Sequence, residues 1–401
     1  MKRVFSFLFS RYYLPVLFAL LFACQPDEVG VRDNIMSDTV QDRENAYIVM
    51  YKPDALTGMR GVTNYADRIA YVQGESMRLV RSLGTDFGRI EQVYGGVIMG
   101  FSIIINDPSR LDVLRNDSRI DYVEKDKIIT LGRPSADARP GGGTPPPQEV
   151  PWGITRVNGG VNYTGSNVAW VIDTGIDLDH PDLNVDVNAS RSFLSGKDAT
   201  DPNDYHGHGS HVAGTIAALD NSEGVKGVAA GATVIAIRVL DRRGSGFLSG
   251  VIGGVDYVGA TGSAGDVANM SLGGGVSQAL DDAVVAASQG GVKFALAAGN
   301  ESDDANNHSP ARANGANIYT ISAMNSQDIF ASFSNYGNPP IEYCAPGVSV
   351  YSTWKDGGYN TISGTSMATP HAAGVLLLGP ARTSGTVIGD PDGNADPIIS
   401  H

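Results

Sequence analysis

Three short segments in the second half of this 401-residue chain carry side chains that could form a catalytic site. The first places Asp173 at the end of an apolar run, the second contains His208 within a histidine-rich stretch, and the third places Ser366 at the start of a predicted helix. A neutral imidazole can take the proton of a serine hydroxyl, and a carboxylate can hold that imidazole in the required tautomer. The residue types and their order therefore predict a hydrolase that works through a nucleophilic serine.

The surroundings of Ser366 narrow the class of hydrolase. A serine in the first turn of a helix has backbone N–H groups beside it, and these can bind a developing oxyanion. Ala368 stands where the nucleophile elbow of α/β-hydrolases has its second glycine, and Thr369 stands where the β-lactamase motif has its lysine. The segment therefore matches neither of those two hydrolase classes.

The histidine-rich stretch could instead bind a metal ion. His206, His208 and His211 lie within six positions, but neither a cysteine nor an HExxH spacing accompanies them. Small residues around His208 lead into a helix and would leave one imidazole accessible, whereas His211 faces differently and is expected to be structural. A metalloprotein is the minor alternative. For the Asp173 segment taken alone, a helix-capping aspartate is an equally good interpretation.

Together the three segments resemble those of the subtilase family of serine endopeptidases. The blocks Asp-Thr-Gly, His-Gly-Ser-His-Val-Ala-Gly and Gly-Thr-Ser-Met-Ala-Thr-Pro-His occur in order, within a likeness that runs from about Gln148 to Leu378. The stretch that ends in the serine block is most similar to the proteinase K branch. The resemblance implies that Ser366 attacks the scissile carbonyl, with His208 as general base and then general acid. It also implies that Asp173 orients His208 and that Asn300 donates a hydrogen bond to the tetrahedral oxyanion.

The resemblance also implies where a peptide substrate would bind. The segment Asn-Met-Ser-Leu-Gly-Gly resembles the family's substrate-binding strand, which assigns backbone pairing with the peptide to Ser271, Leu272 and Gly273. Ala297 and Gly299 are expected to line the S1 pocket. Their small, uncharged side chains predict a broad preference for apolar or aromatic P1 residues.

A structural Ca²⁺ ion is a further implication of the resemblance. The sequence Leu-Asp-Asn-Ser-Glu-Gly-Val resembles the calcium loop of bacterial subtilisins, a loop that proteinase K lacks. Oxygen ligands of this kind suit Ca²⁺, and a solvated turn is the alternative. The implied ligands are the side chains of Gln148, Asp182 and Asn221 and the backbone carbonyls of Leu219, Glu223 and Val225.

The element pattern predicts two domains. Residues 148–401 alternate short apolar runs with helical stretches, which predicts an α/β domain with a parallel sheet covered by helices on both faces. Residues 46–131 follow a β-α-β-β-α-β order, which predicts a small ferredoxin-like α+β domain. In the family such a domain is a propeptide that assists folding and blocks the site with its C-terminal strand. The proline- and glycine-rich residues 132–147 are expected to be a linker and processing region, and the residues after Leu378 are predicted to be a loop-like tail.

The N-terminus is predicted to be an export signal, residues 1–24. Basic residues precede an apolar run that is too short for a membrane span, and the run ends in Leu-Phe-Ala-Cys, which resembles a lipobox. Cys24 would then carry a lipid at the bacterial surface, with an ordinary secretory signal as the alternative, and residues 25–45 would be a tether. Cys344 would be unpaired and is expected to be a small buried residue.

Composition sets limits on the partners. The net charge of -14 argues against a nucleic-acid binder, which needs basic surface to neutralise phosphate. The prediction is therefore a secreted or lipid-anchored, self-maturing monomer whose partners are protein or peptide substrates and its own propeptide, residues 46–131. An esterase with the same triad, or an inactive peptide-binding protein, would also be compatible with these residue types.

Overall fold

The computed structural model describes residues 43–131, 137–139 and 145–401, and for residues 137–139 it describes the backbone alone. The predicted signal segment, Cys24, nearly all of the tether and most of the linker lie outside these residues. In the part of the chain that is described, none of the helices combines the length and apolar character that a membrane crossing requires.

The N-terminal region forms a four-stranded antiparallel sheet with two helices, in the strand order β2-β3-β1-β4. Asn64 begins the longer helix by accepting a hydrogen bond from the N–H of Asp67, as a helix N-cap does. The elements are β1 (Ala46–Tyr51), α1 (Tyr65–Leu83), β2 (Gly88–Tyr94), β3 (Gly100–Ile105), α2 (Leu111–Arg115), β4 (Ile120–Lys125), β5 (Ile128–Thr130) and, in the linker, β6 (Asp137–Arg139). This is the chain order of the predicted ferredoxin-like domain, with β5 as an extra strand that leaves it.

The C-terminal region alternates strands and helices. Its helices are α3 (Trp152–Arg156), α4 (His208–Ala217), α5 (Leu248–Thr261), α6 (Gln278–Ser288) and α7 (Thr365–Leu378). Its strands are β7 (Val161–Asn162), β8 (Ala169–Asp173), β9 (Arg191–Ser192), β10 (Ala229–Ala230), β11 (Val234–Arg238), β12 (Ser245–Phe247), β13 (Val267–Met270), β14 (Gly274–Gly275), β15 (Lys293–Ala297), β16 (His308–Ser309), β17 (Ile318–Met324), β18 (Ile341–Pro346), β19 (Val350–Trp354), β20 (Gly358–Ile362), β21 (Arg382–Thr386) and β22 (Pro397–Ser400).

Nine of these strands form the central sheet, in the order β21-β22-β18-β17-β15-β13-β8-β11-β9. All neighbours are parallel except β21 and β22, so the predicted α/β fold with a parallel sheet is confirmed. Alternate residues of β8 enter different cores: Ala169 and Val171 pack with α4 and α7, whereas Trp170 and Ile172 pack with α5 and α6. The sheet is therefore buried on both faces, which explains its continuous apolar strands.

The prediction of a loop-like tail after Leu378 is wrong. Strands β21 and β22 extend the central sheet, with Cys344 of β18 opposite Ile398 of β22 and both side chains buried. Asp396 is also buried and accepts a hydrogen bond from the hydroxyl of Ser322. Only two apolar residues, Ile398 and Ile399, mark the last strand, and a run that short carries no usable periodicity.

Candidate active site

Asp173 and His208 meet at the carboxyl edge of the central sheet. Asp173 is the last residue of β8, and His208 is the first residue of α4. The His208 Nδ1 atom lies 2.8 Å from Oδ1 and 3.0 Å from Oδ2 of Asp173, and both side chains are buried. Burial alone would lower the pKa of His208, but the adjacent Asp173 carboxylate raises that pKa above its ordinary value. Asp173 therefore fixes the imidazole and stabilises its protonated form.

Gly207 permits this approach of the histidine to the aspartate. Its φ is 109°, a conformation that favours glycine, and a Cβ atom there would lie 2.2 Å from the indole ring of Trp354. A larger residue would therefore displace the start of α4 and with it the His208 ring.

Ser366 lies in the first turn of α7, close to the end of β13. Its hydroxyl donates to the carbonyl oxygen of Ser271 at 3.1 Å, rather than to the imidazole of His208. The Ser271 hydroxyl donates in turn to the carbonyl oxygen of Ser366 at 2.8 Å. Catalytic hydrogen bonds are often formed only with substrate bound, and a rotation of the Ser366 side chain about χ1 would redirect the hydroxyl.

Asn300 is held in one orientation beside Ser366. Its Oδ1 atom accepts hydrogen bonds from the backbone N–H of Thr365 at 2.8 Å and from the Thr365 hydroxyl at 3.1 Å. Because the oxygen side is used by Thr365, the Nδ2 group is the one available to an incoming oxyanion. The structure thus places a hydrogen-bond donor of fixed orientation next to the nucleophile.

A cavity of about 50 Å³ joins these groups to the predicted substrate-binding residues. All five predicted residues line it, together with Asn300 and Ser366: Ser271, Leu272, Gly273, Ala297 and Gly299. Thr130 and Leu131, from the N-terminal region, line the same cavity. The arrangement can therefore hold an extended peptide with its carbonyl carbon near Ser366.

Comparison with known proteins identifies this arrangement. The profile of the subtilase family matches residues 165–380, which is more than half of the chain. The chain belongs to the subtilase family of serine proteases. Asp173, His208, Asn300 and Ser366 all lie within the part of the chain that the family profile matches.

Individual relatives and a solved structure agree with this assignment. The chain is 44% identical over 301 residues to the alkaline serine exoprotease A of Vibrio alginolyticus, covering 72% of this chain but 53% of that protein. It is 38% identical over 351 residues to the extracellular serine proteinase of Thermus sp. (strain Rt41A), covering 83% of this chain and 79% of that protein. The chain thus spans about half the length of the Vibrio relative. A crystal structure of a cold adapted subtilisin-like serine proteinase matches 62% of this chain and 97% of its own, with a TM-score of 0.54 and 41% identity.

Two side chains that sequence reasoning missed also line the cavity of this subtilase. Glu301 and His308 are charged or polar, and they line the same cavity as the small residues Ala297 and Gly299. Glu301 directly follows Asn300 in the sequence, and this adjacency could have indicated that its side chain lines the cavity. His308 lies eight positions after Asn300 and enters the wall only because β16 pairs with β14.

The three clustered histidines of the subtilase do not converge on one point. The His206 and His208 rings are 6.3 Å apart, and His211 is turned inside, where its Nε2 atom lies 3.0 Å from the carbonyl oxygen of Val350. Burial lowers the pKa of His211 to about 3, so this ring is neutral and packed. Across the described ranges, no group of three or more His, Cys, Asp and Glu side chains is arranged to hold a metal ion.

The predicted calcium ligands gather around the loop that follows α4. Asn221 donates to Asp182 Oδ1 at 2.8 Å, and the N–H of Val225 donates to Asp182 Oδ2 at 3.0 Å. The side-chain amide of Gln148 lies 2.9 Å from the carbonyl oxygen of Leu219 and 3.4 Å from Asn221 Oδ1. Burial raises the pKa of Asp182 to about 6, and the hydrogen bonds from Val225 and Asn221 offset only part of this effect.

Glu223 takes part in this loop through its backbone. Its N–H donates to the side-chain oxygen of Asn221 at 2.8 Å, which shapes the turn. The structure therefore joins all six predicted ligands by hydrogen bonds, and Glu223 takes part through its N–H group rather than through the predicted carbonyl oxygen.

Strand β5 pairs with β12 and leads to the active site. Ile128, Ile129 and Thr130 pair in antiparallel register with Phe247, Gly246 and Ser245. The N–H of Leu131 then donates to the carbonyl oxygen of Gly244 at 2.8 Å. The N-terminal region thus ends in an extended segment that leads directly to the cavity beside Ser366.

Carboxylates fix the N-terminal region against helices α5 and α6. Asp126 accepts hydrogen bonds from the N–H of Ser249, at 2.9 Å, and from its hydroxyl, at 2.7 Å, in the first turn of α5. Glu124 accepts from the N–H of Ala279 in the first turn of α6 at 3.2 Å. Negative charge at these two positions suits the positive ends of both helices.

One buried carboxylate of α5 binds the N-terminal region in return. Asp256 accepts hydrogen bonds from four consecutive backbone N–H groups of the β2–β3 connection, at 2.7 to 3.1 Å. Such a set of donors binds an anion strongly, because each hydrogen bond is charge-assisted.

Proposed function

We propose that the chain is the zymogen of an exported serine endopeptidase that hydrolyses peptide bonds through an acyl-enzyme on Ser366. The membership of the subtilase family and the distances between Asp173 and His208 support this proposal. The names of the relatives, an extracellular proteinase and an exoprotease among them, support export.

The residues of the site would act in a fixed sequence. Ser366 Oγ attacks the scissile carbonyl carbon while the imidazole of His208 takes its proton. The oxyanion accepts hydrogen bonds from Asn300 Nδ2 and from the N–H of Ser366. His208 then gives the proton to the leaving amine, and water hydrolyses the acyl-enzyme with the same base. Asp173 keeps the second imidazole nitrogen protonated throughout.

One observation carries the zymogen proposal: Thr130 and Leu131 line the cavity that contains Ser366. A strand that pairs with β12 and ends beside the nucleophile is bound as a substrate backbone would be. Residues 46–131 would therefore inhibit the enzyme as a propeptide. The Thermus relative is matched over 83% of the chain, which is more than residues 148–401 alone can supply, so the likeness extends into this region.

The same region would also assist folding. A large parallel sheet has many contacts between distant residues, which makes folding slow. Asp126 and Glu124 of the N-terminal region accept hydrogen bonds from the starts of α5 and α6. In return, Asp256 of α5 accepts hydrogen bonds from four N–H groups of the β2–β3 connection. The propeptide would therefore align two helices that cover one face of the sheet before the active site matures.

Maturation would separate residues 46–131 from the enzyme. Because Leu131 lies beside the nucleophile, we place the cleavage between Leu131 and Gln148. A lipid on Cys24 would then stay with the propeptide, and the enzyme would leave the cell surface as a soluble monomer.

We also propose that the enzyme is stabilised by a Ca²⁺ ion. The side chains of Gln148, Asp182 and Asn221 and the carbonyls of Leu219, Glu223 and Val225 would hold it. Burial disfavours the charge of the Asp182 carboxylate, and the adjacent amide and carbonyl oxygens are hard ligands, so the donor set fits Ca²⁺. A bound ion would cross-link the start of the catalytic region to the loop after α4.

A single expression experiment tests the proposal. Residues 25–401 are expressed with Ca²⁺, beside a Ser366→Ala variant, and intact mass and N-terminal sequence are followed over time. We expect the wild type to split between Leu131 and Gln148 and the variant to stay whole. Splitting of both would assign processing to another protease, and no splitting together with an unlabelled Ser366 after fluorophosphonate treatment would favour an inactive binding protein.

A further inference from the structure

The buried side chain of Arg43 joins the tether to the catalytic region. Arg43 belongs to the predicted tether, three positions before β1, yet only 6% of its side chain is exposed. Its guanidinium carbon lies 4.0 Å from the centre of the Phe247 ring, at the end of β12. A residue outside the predicted propeptide, residues 46–131, thus packs directly against the catalytic region.

Two carboxylates of the propeptide contact the edge of the same guanidinium. Nη2 of Arg43 donates to Glu91 Oε2 of β2 at 3.1 Å, and Nη1 lies 3.7 Å from Asp126 Oδ2. Both carboxylates are largely buried. Because a buried carboxylate without a partner is costly, Arg43 supplies a positive charge that both positions need.

Asp126 and Phe247 connect Arg43 to the strand β5. Asp126 also accepts hydrogen bonds from the N–H and the hydroxyl of Ser249 in the first turn of α5, and Phe247 is the residue directly before that helix. The backbone of Phe247 pairs with that of Ile128 in β5, the strand that leads to the active-site cavity. The Arg43 contacts therefore reinforce the place at which β5 joins the catalytic region.

Arginine suits this position because of its shape. A planar guanidinium can lie flat on an aromatic ring while the N–H groups along its edge donate to carboxylates. Lysine carries a point charge and cannot make both kinds of contact at once. Arginine and aromatic residues are also the types that contribute most to interfaces, above all where neighbouring groups exclude water. The contact between Arg43 and Phe247 combines these features.

We propose that Arg43 and Phe247 form a clamp that slows the release of the propeptide after self-cleavage. Arg43 binds Phe247 of the catalytic region and Asp126 of the propeptide at the same time, so the inhibitory segment begins at residue 43 and not at residue 46. The inference rests on the proposed self-maturation and adds the contact that sets how long the cleaved enzyme stays inhibited. Because most interface contacts act on the dissociation rate, loss of the clamp should speed release.

The test follows the maturation of residues 25–401 in the presence of Ca²⁺. Intact mass measures cleavage, and hydrolysis of a short peptide measures free active sites. The delay between the two reports release of the propeptide, and it is extrapolated to low protein concentration, where active molecules no longer digest the propeptide of others. We expect Arg43→Gln to shorten this delay about tenfold, the effect of one cation–π contact shielded from water, and to leave the cleavage rate unchanged. Arg43→Lys should shorten the delay nearly as much.

Arg89→Gln is the matched control. Arg89 contacts the same carboxylate, with its Nε atom 3.0 Å from Glu91 Oε1, but its side chain is 67% exposed, so the delay should equal that of the wild type. Phe247→Leu removes the ring from the catalytic side and should shorten the delay as Arg43→Gln does. The double variant should resemble either single variant, because both changes remove the same contact.

The clamp is overturned by a wild type without a delay, by a delay in Arg43→Gln equal to that in Arg89→Gln, or by additive effects of the Arg43 and Phe247 changes. Slower cleavage with an unchanged delay would also overturn it, since Arg43 would then act in folding alone. If Arg43→Gln fails to mature, Arg43→Lys and Phe247→Leu decide by the same comparison. A wild type that stays whole and is not labelled at Ser366 would instead overturn the proposed function, and this inference with it.

Discussion

Ser271 and Ser366 exchange hydrogen bonds between β13 and α7. The hydroxyl of each serine donates to the carbonyl oxygen of the other, at 2.8 Å from Ser271 and 3.1 Å from Ser366. Ser271 is fully buried, and its hydroxyl also accepts a hydrogen bond from Asn269 at 2.9 Å. The nucleophile is thus tied to the strand that would bind the substrate.

Removing the hydrogen bond from the Ser271 hydroxyl to the Ser366 carbonyl oxygen should impair catalysis more than substrate binding. In Ser271→Ala the carbonyl that Ser366 contacts remains, but the hydrogen bond that fixes the first turn of α7 is lost. We expect kcat to fall about tenfold with little change in KM, and the free energy of unfolding to fall by about 1 kcal/mol. Steady-state kinetics and denaturant unfolding measure the two effects. Ser302→Ala, at an exposed serine, is the control, and equal losses in both variants would contradict the assigned role.

Asn300 should contribute to the transition state and not to ground-state binding. Its oxygen is occupied by Thr365, which leaves Nδ2 for the oxyanion. We expect Asn300→Ala to lower kcat by about 10²–10³, a magnitude that was established on subtilisin itself, with KM nearly unchanged. Asn188→Ala, at an exposed asparagine distant in sequence, is the matched control. An effect confined to KM would mean that Asn300 contacts the substrate only in the ground state.

The activity should require His208 to be neutral, which sets the acid limb of the pH profile. Because Asp173 raises the pKa of His208, kcat/KM should fall with decreasing pH at a midpoint above the ordinary histidine value of about 6.5. Asp173→Asn removes the negative charge, so the limb should move to lower pH while kcat drops by about 10⁴, as in serine proteases of another fold. A profile recorded between about pH 4 and pH 10 checks both changes, and an unmoved limb in the variant would argue against this pairing.

Asp256 should control how tightly the propeptide inhibits the enzyme. Its carboxylate accepts four N–H groups, whereas Asp282 makes a single hydrogen bond to this region, from the Tyr122 hydroxyl at 2.7 Å. We expect Asp256→Ala to weaken inhibition by the added propeptide at least about tenfold, since hydrogen bonds to charged groups are individually strong. Asp282→Ala should have a much smaller effect. Inhibition constants of residues 46–131 on each matured variant measure this order, and a larger effect at Asp282 would contradict it.

Calcium removal should destabilise the matured enzyme through Asp182. With Ca²⁺ at about 100 times its Kd, binding contributes about 2.7 kcal/mol, which corresponds to about 5–10 °C in Tm for a domain of this size. We expect a chelator to lower the Tm of the wild type by that amount and to leave Asp182→Asn nearly unaffected. Asp220→Asn is the matched control, because Asp220 lies in the same loop but pairs with Lys226 at 2.9 Å. A chelator response that survives in Asp182→Asn would contradict the assigned site.

The sequence by itself determined the residue types and the order of the catalytic groups. Asp173, His208 and Ser366 lie in short blocks whose neighbours, such as Gly207, are needed for the local geometry, so each block carries its own signal. The alternation of apolar strands and helices likewise determined the α/β class, because a sheet buried on both faces needs apolar residues along its whole length.

Tertiary structure alone decided which distant residues reach the site. Leu131 enters the cavity because β5 pairs with β12, more than 100 positions later, and Asp256 meets its four N–H donors about 160 positions away. His308 joins the pocket wall through a two-residue ladder, and Ile398 completes the sheet from a run of two apolar residues. These contacts depend on how separate elements pack, and neither periodicity nor local motifs record the relative placement of elements far apart in the chain.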